Sequence, residues 1–315
     1  MNKPEILQLG AYSERDEALL NEHFVMHRFF EVDDKAAFLN EHAANIKAIG
    51  TRGDLKVEGS LIESLPALEM IAVYGVGYDG VDMQTVKSKN LRMSNTPDVL
   101  TGDVADYAVA MMLAQSRDMV GASNWVRSSN WGNKGGYHLT SRAYGKRVGI
   151  LGLGRIGFEI ARRLAAFDMQ INYSSRSAKA EAVDWNFIQD PLTLAEASDF
   201  LFVTLAANEE THHIVSKDVI AAMGNKGMII NVSRAANIDE DALLDALESG
   251  ALGSAALDVF EGEPVINERF LALDNVLLQP HQGSGTVETR EAMGDLVRNN
   301  LLAHFEGRDL LTPVN

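Results

Sequence analysis

Arg147-Val148-Gly149-Ile150-Leu151-Gly152-Leu153-Gly154-Arg155-Ile156-Gly157 is a short apolar run that closes on spaced glycines and leads into a helix-like segment reaching Phe167. The run from Arg147 to Leu151 predicts a strand, and Gly152 permits the tight turn that leaves it. Gly154 lets the backbone approach a pyrophosphate, and Gly157 lets the helix pack closely on the strand. The helix that opens at Arg155 and Ile156 offers unpaired N–H groups and a partial positive charge to phosphate. A strand before the glycines and a helix after them make the stretch a dinucleotide-binding turn rather than a bare glycine-rich loop.

Working outward, apolar runs at Gln170 to Ser174, Phe200 to Leu205, Met228 to Val232, Ser254 to Asp258 and Val276 to Leu278 alternate with helix-like segments. The same alternation fills the first third: Ile6 to Leu9, Val25 to Phe29, Ile46 to Gly50, Leu68 to Val73 and Leu91 to Met93, with Glu14 to Phe24 and Asp82 to Lys89 as helices. Such βαβ alternation predicts parallel sheets. Between the two series lie one long helix, Val99 to Asp118, capped by Thr101 or Asp103, and a connection from Ser128 to Gly145 that reads as irregular. A chain of 315 residues is long for one average domain and suits two. The expected fold class is therefore α/β, two Rossmann-like or flavodoxin-like doubly wound parallel-sheet domains with a cleft between them.

Composition narrows the function. With 46% hydrophobic and 23% charged residues the chain can bury a sizeable core. A formal net charge of -16 repels nucleic acid and anionic lipid, so neither is an expected partner. The absence of cysteine excludes disulfides, thiolate metal sites and a cysteine nucleophile, and fits a reducing, cytoplasmic location. Lys3, Pro4, Glu5 and Gln8 interrupt the first residues, so no secretory signal is expected, and no apolar stretch approaches the ~20 residues of a membrane helix.

Where NAD-binding proteins usually place an acid for the ribose hydroxyls, this chain has Ser174-Ser175-Arg176-Ser177. Ser175 and Ser177 can donate hydrogen bonds to a 2′-phosphate and Arg176 can pair with its charge, so NADPH/NADP is expected in preference to NADH.

Arg234, Glu263 and His281 each follow a predicted strand of this second series. In open parallel sheets the carboxyl ends of the strands form the ligand crevice, so the three are expected to converge there. Reducing a keto acid needs a cation for the carboxylate and carbonyl and an acid for the nascent alkoxide. Arg234 fits the first role with its bidentate geometry, and His281 fits the second, held protonated by Glu263. No metal is required. Taken singly, a surface arginine, a turn glutamate and a satisfied histidine would each be the plainer explanation; their joint placement decides against it.

These motifs, with Asn231-Val232-Ser233-Arg234, Leu257-Asp258-Val259-Phe260-Glu261-Gly262-Glu263-Pro264 and Pro280-His281, resemble those of the D-isomer-specific 2-hydroxyacid dehydrogenase family over essentially the whole chain. Gly75 to Asp82, Asn95 to Thr101 and Gly283 to Arg290 look most like its glyoxylate/hydroxypyruvate and hydroxyphenylpyruvate reductase branch. The resemblance implies Arg234 as substrate anchor, Glu263 and His281 as the acid pair, and the backbone of Val76 and Gly77 as carboxylate holder. It also implies Asp258 at the nicotinamide carboxamide, with Val232 and Gly283 among the cofactor contacts. It further implies a discontinuous substrate domain, 1–98 plus 284–315, around a dinucleotide domain, 99–283, a homodimer, and a small 2-keto acid reduced to its D-2-hydroxy acid. Ala235 after Arg234 and Ala206-Ala207-Asn208 depart from the family pattern, leaving the nicotinamide contacts open. The alternative from another class is a dinucleotide-sensing binding protein on the same scaffold, like the C-terminal-binding corepressors, which would carry peptide-docking surfaces or long tails.

Overall fold

The computed structural model describes residues 3–315. The chain divides into two compact units: one runs to Leu100 and resumes at Thr286–Asn315, and the other is Thr101–Gly285.

The first unit holds strands β1 (Glu5–Gln8), β2 (Val25–Arg28), β3 (Ile46–Arg52), β4 (Met70–Tyr74) and β5 (Arg92–Ser94), with helices α1 (Glu14–His23), α2 (Lys35–His42), α3 (Gly59–Glu63) and α4 (Met83–Ser88) between them. The strands pair in the order β2-β1-β3-β4-β5, every neighbour parallel. All five residues of β4 are buried, as expected of a strand covered on both faces. Full burial of each such aliphatic side chain contributes about 1.5–3 kcal/mol.

The second unit opens with α5 (Thr101–Ser116), α6 (Met119–Arg127) and α7 (Asn130–Lys134). It continues through β6 (Arg147–Leu151), α8 (Arg155–Ala165), β7 (Gln170–Ser174), β8 (Asn186–Phe187), α9 (Pro191–Glu196), β9 (Phe200–Val203), α10 (Lys217–Met223), β10 (Met228–Asn231), α11 (Glu240–Ser249), β11 (Ser254–Leu257) and β12 (Val276–Leu278). The sheet runs β12-β11-β10-β9-β6-β7-β8, all parallel. After β6 the chain builds outward to β8, then returns to place β9 on the other side of β6. The crevice at that reversal is where open sheets bind ligands.

The last helix, α12 (Val287–Phe305), belongs to the first unit, where the Tyr74 hydroxyl donates to the Arg290 carbonyl at 2.7 Å. The final residues reach β5 as well: Ser94 bridges Pro313, and the Val314 N–H donates to the Met93 carbonyl.

The expected strands Arg147 to Leu151, Gln170 to Ser174 and Val276 to Leu278 form with those bounds. Three others end early because their last residues turn to other partners. The Thr204 hydroxyl donates to the Gly152 carbonyl, the Asn231 side chain takes the Ser233 N–H, and the Asp258 carboxylate takes loop N–H groups. The Val25 to Phe29 run also shortens, since Phe29–Glu31 winds into a single tight turn. The long helix stops at Ser116 because Asp118 adopts φ 42 and caps α6 through the Gly121 N–H. Thr101 and Asp103 lie within the first turn of α5 rather than ahead of it. The Ser128 to Gly145 connection is not wholly irregular: Asn130–Lys134 is the short helix α7. Its polar, glycine-containing sequence carries no apolar period from which a helix is legible.

Candidate active site

Two close contacts and one open space explain the glycines after β6. Gly152 sits at φ 107, and a Cβ there would lie 2.9 Å from the Leu205 side chain. At Gly157 a Cβ would come within 2.2 Å of the Gly152 carbonyl oxygen, so only glycine lets α8 start this close to the strand. A Cβ at Gly154 would meet nothing within 4 Å, which leaves open space where the N-terminus of α8 points its N–H groups. A tight turn, close packing and an open cradle together fit a pyrophosphate. Arg155 is exposed and Ile156 half-buried at the start of that helix.

The next strand end is tied to this cradle. The N–H groups of Gly152 and Leu153 donate to the Ser174 carbonyl, so Ser175-Arg176-Ser177 emerges beside the glycine turn. Arg176 and Ser177 are exposed. The Ser175 hydroxyl donates to the Ser177 carbonyl at 2.6 Å, closing the loop on itself.

On the other side of the reversal, β10 ends at Asn231, which is buried. Its side-chain oxygen accepts from the Ser233 N–H and hydroxyl, and its amide donates to the Arg234 carbonyl at 3.0 Å. Asn237, also buried, donates to the Ser233 hydroxyl and the Leu205 carbonyl. Two buried asparagines therefore fix the backbone that carries Val232 and Arg234. The Arg234 side chain is half-buried and donates to the Ser233 carbonyl at 2.9 Å.

His281 and Glu263 meet. His281 Nδ1 lies 2.8 Å from one Glu263 carboxylate oxygen, and the other oxygen accepts from the Phe260 N–H at 2.7 Å. Burial alone would raise the Glu263 pKa, but the hydrogen bonds from His281 and the Phe260 N–H, with the charges of His281 and Arg234, carry it below the usual carboxylate range. A depressed folded-state carboxylate adds stability that is present above its unfolded pKa and lost as pH falls through its folded one. With Nδ1 engaged, His281 Nε2 is the atom left for a substrate.

Asp258 is almost wholly buried just beyond β11. One carboxylate oxygen accepts from the Gln282 N–H at 2.7 Å and the other from the Gly283 N–H at 2.8 Å. Burial raises its pKa, and those two N–H groups pull the other way. His281 itself has φ 53, a left-handed conformation uncommon outside glycine, so its turn needs such a clamp. Upstream of the same turn, the Tyr107 hydroxyl donates to the Gln279 side chain at 2.6 Å and is pushed up to about 12, chiefly by burial. Both oxygens of Asp258, the residue expected near a nicotinamide carboxamide, accept from the successive N–H groups of Gln282 and Gly283. Asn237 and Tyr107 have no place among the sequence motifs, and Asn231 stands in one without a role of its own. Only Asn231, a turn-forming residue two before a serine at a strand end, carries a local signal.

In the first unit the Gly75-Val76-Gly77 turn leaves β4. The Gly75 N–H donates to the Thr96 hydroxyl at 3.0 Å, and the Asn95 amide donates to the Val76 carbonyl at 2.9 Å. Gly53 packs so close that a Cβ there would be 2.7 Å from the Gly77 carbonyl oxygen. His212 and His213 stack on each other with centroids 3.9 Å apart, His212 exposed and His213 partly covered. No helix among the described residues is long and apolar enough to cross a membrane.

Residues 109–283 match the family model described as D-isomer specific 2-hydroxyacid dehydrogenase, NAD binding domain. Glyoxylate/hydroxypyruvate reductase A of Arabidopsis thaliana is 44% identical over 306 residues, 97% of this chain and 96% of that protein. Among solved structures, the 2-hydroxyacid dehydrogenase from Ketogulonicigenium vulgare Y25 superposes with a TM-score of 0.94 at 60% identity, covering 100% of this chain and 99% of that one. The NADPH-dependent glyoxylate/hydroxypyruvate reductase from Sinorhizobium meliloti, in complex with NADP and malonate, gives 0.92 at 38% identity, with 99% and 97% covered.

Proposed function

From the premise that the chain belongs to the D-isomer-specific 2-hydroxyacid dehydrogenase family, we propose that it is an NADPH-preferring reductase of small 2-keto acids such as glyoxylate and hydroxypyruvate, yielding the D-2-hydroxy acid. The observation that carries this reading is the Glu263–His281 pair, 2.8 Å apart on the carboxyl edge of the sheet that bears the glycine cradle.

In this reading Gly152, Gly154, Arg155, Ile156 and Gly157 hold the dinucleotide pyrophosphate, and Val232, Asp258 and Gly283 line the nicotinamide end. Ser175, Arg176 and Ser177 take the 2′-phosphate. The bound cofactor supplies the hydride. Arg234 binds the substrate carboxylate and polarises the carbonyl, and the family resemblance assigns the backbone N–H groups of Val76 and Gly77 to the substrate as well. His281 holds the proton on Nε2 and delivers it to the carbonyl oxygen as charge develops there, while Glu263 stabilises the imidazolium and fixes its ring. The NADPH preference is supported by the absence of an acid at Ser174 to Ser177 and by the NADP complex of the Sinorhizobium relative.

The homodimer is part of the same proposal. The amphipathic α6 has no buried residue, and Met119, Val120 and Val126 stand more than half exposed, as does Trp131 on α7. Such an exposed apolar surface suits a second copy.

The test is the initial rate of NADPH and NADH oxidation with glyoxylate, hydroxypyruvate and hydroxyphenylpyruvate offered separately. Faster turnover with NADPH on any of them supports the reading. Faster turnover with NADH removes the 2′-phosphate assignment, and no turnover with either cofactor removes the reductase.

A further inference from the structure

We propose that Glu5, His27 and His42 form a binding site for a divalent transition-metal ion of the zinc class, at the amino end of the first unit's sheet. The parallel register pairs Glu5 with Val25 and Leu7 with His27, so the side chains of Glu5 and His27 leave the same face of β1 and β2. Helix α2 brings His42 to them, with Phe38 one turn earlier on the same side.

The resulting cluster is compact. One ligand atom from each of Glu5, His27 and His42 lies within 4.8 Å of the others. His27 Nε2 already stands 2.8 Å from a Glu5 oxygen, and the two imidazole centroids are 5.0 Å apart. The Phe38 ring walls the cluster, 5.4 Å from His27 and 4.5 Å from His42. All three ligand residues are partly buried, so their rotamer freedom is already limited. An ion pair needs only His27 and Glu5. A second imidazole against the first gains a role if both nitrogens share a cation.

The donor set names the ion. Two imidazole nitrogens and one carboxylate, with a fourth position for water, suit zinc, and the same set takes nickel or copper by the usual affinity order. Magnesium and calcium call for oxygen ligands. Metal–ligand bonds of roughly 2.0–2.2 Å set tetrahedral ligand atoms about 3.4 Å apart, so the His27–Glu5 contact must open from 2.8 Å to admit the ion while His42 closes on it, which side-chain rotation supplies. Glu41 stands 3.9 Å from His42 and adds negative charge beside the site. The ion would clamp the edge strand β2 and helix α2 to β1. Glu5 is the first residue of β1, at the opposite end of a parallel sheet from the Gly75 to Gly77 turn that follows β4. The site is therefore structural and independent of keto acid chemistry.

Calorimetric titration of the whole protein with zinc chloride tests this, comparing the unmodified chain with His42→Ala and with Glu5→Gln, which keeps the shape of the glutamate. Other histidines can take zinc, so the readout is the difference. The expected result is one equivalent bound at least about tenfold more weakly in either variant. A zinc-dependent rise in thermal midpoint is expected in the unmodified chain alone. Cobalt should broaden the imidazole signals of His27 and His42 before those of the other histidines. Equal zinc stoichiometry and affinity in the unmodified chain and both variants, or cobalt broadening that spares His27 and His42, overturns the proposal.

Discussion

At one end of the second unit's carboxyl edge, His281 is held by Glu263, Glu263 by the Phe260 N–H, and the turn itself by both oxygens of a buried Asp258. At the other, Arg176 extends into solvent and the Ser175 hydroxyl spends itself on its own loop. The difference follows from the task each is proposed to perform. A group that donates a proton must be in place before the transition state, because misplacement by an ångström is expensive. A phosphate can instead be met by backbone N–H groups that glycine geometry has already aimed, with one long cation closing on arrival. Substitutions at the first corner should therefore act on turnover, and those at the second on cofactor affinity.

The contrast can be broken most directly at His281. His281→Ala should lower reductive kcat by about 10³-fold while leaving NADPH binding nearly intact, read by steady-state rates and fluorescence titration. Near-normal turnover would remove His281 from the chemistry. Asp258→Asn comes next, since an amide cannot accept from both the Gln282 and Gly283 N–H groups without presenting its own NH₂ to one of them. A fall in kcat of about 10²-fold with an unchanged melting curve would assign Asp258 to placing His281. Equal loss of kcat and NADH affinity would instead favour a nicotinamide contact.

Glu263→Gln sharpens the comparison through pH. The Glu263 carboxyl lies below its usual range, so it stays ionised across the working range and its charge favours the imidazolium. The alkaline limb of reductive kcat/KM should move down by about one unit. An unmoved limb would leave Glu263 a purely structural partner. The smallest effect is expected at the exposed corner: Arg176→Ala should raise KM for NADPH by about tenfold and leave NADH nearly unchanged, because one solvent-screened, charge-assisted bond is lost. An equal rise for both cofactors would count against a 2′-phosphate contact.

What the sequence made legible follows the same division. The strand before the glycines, the glycines themselves and the residue types at 234, 263 and 281 could be read because each rests on a local rule of period, turn or charge. The Asp258 clamp could not, since it joins residues 24 and 25 positions apart through backbone N–H groups that no side-chain pattern reports. The left-handed His281 was hidden for the same reason, as tertiary bonds rather than residue preference hold it there. Strand β8, two residues long at a sheet edge, is too short to show a period. Helix α6, Met119–Arg127, falls between the expected long helix and the expected connection, and the break at Asp118 that sets it off depends on a capping bond, not on proline or glycine.

The placement of α12 with the first unit bears on the order in which the protein is made. During synthesis the strands of that unit emerge before those of the second, yet Tyr74 on β4 must wait for Arg290, and β5 for Pro313 and Val314, all of which follow the second unit in the chain. The second unit has all its strands once Gly285 has left the ribosome. The second unit should thus reach protease resistance before the first, and limited digestion of released chains truncated after Gly285 would show the segment up to Leu100 cut while the glycine cradle survives.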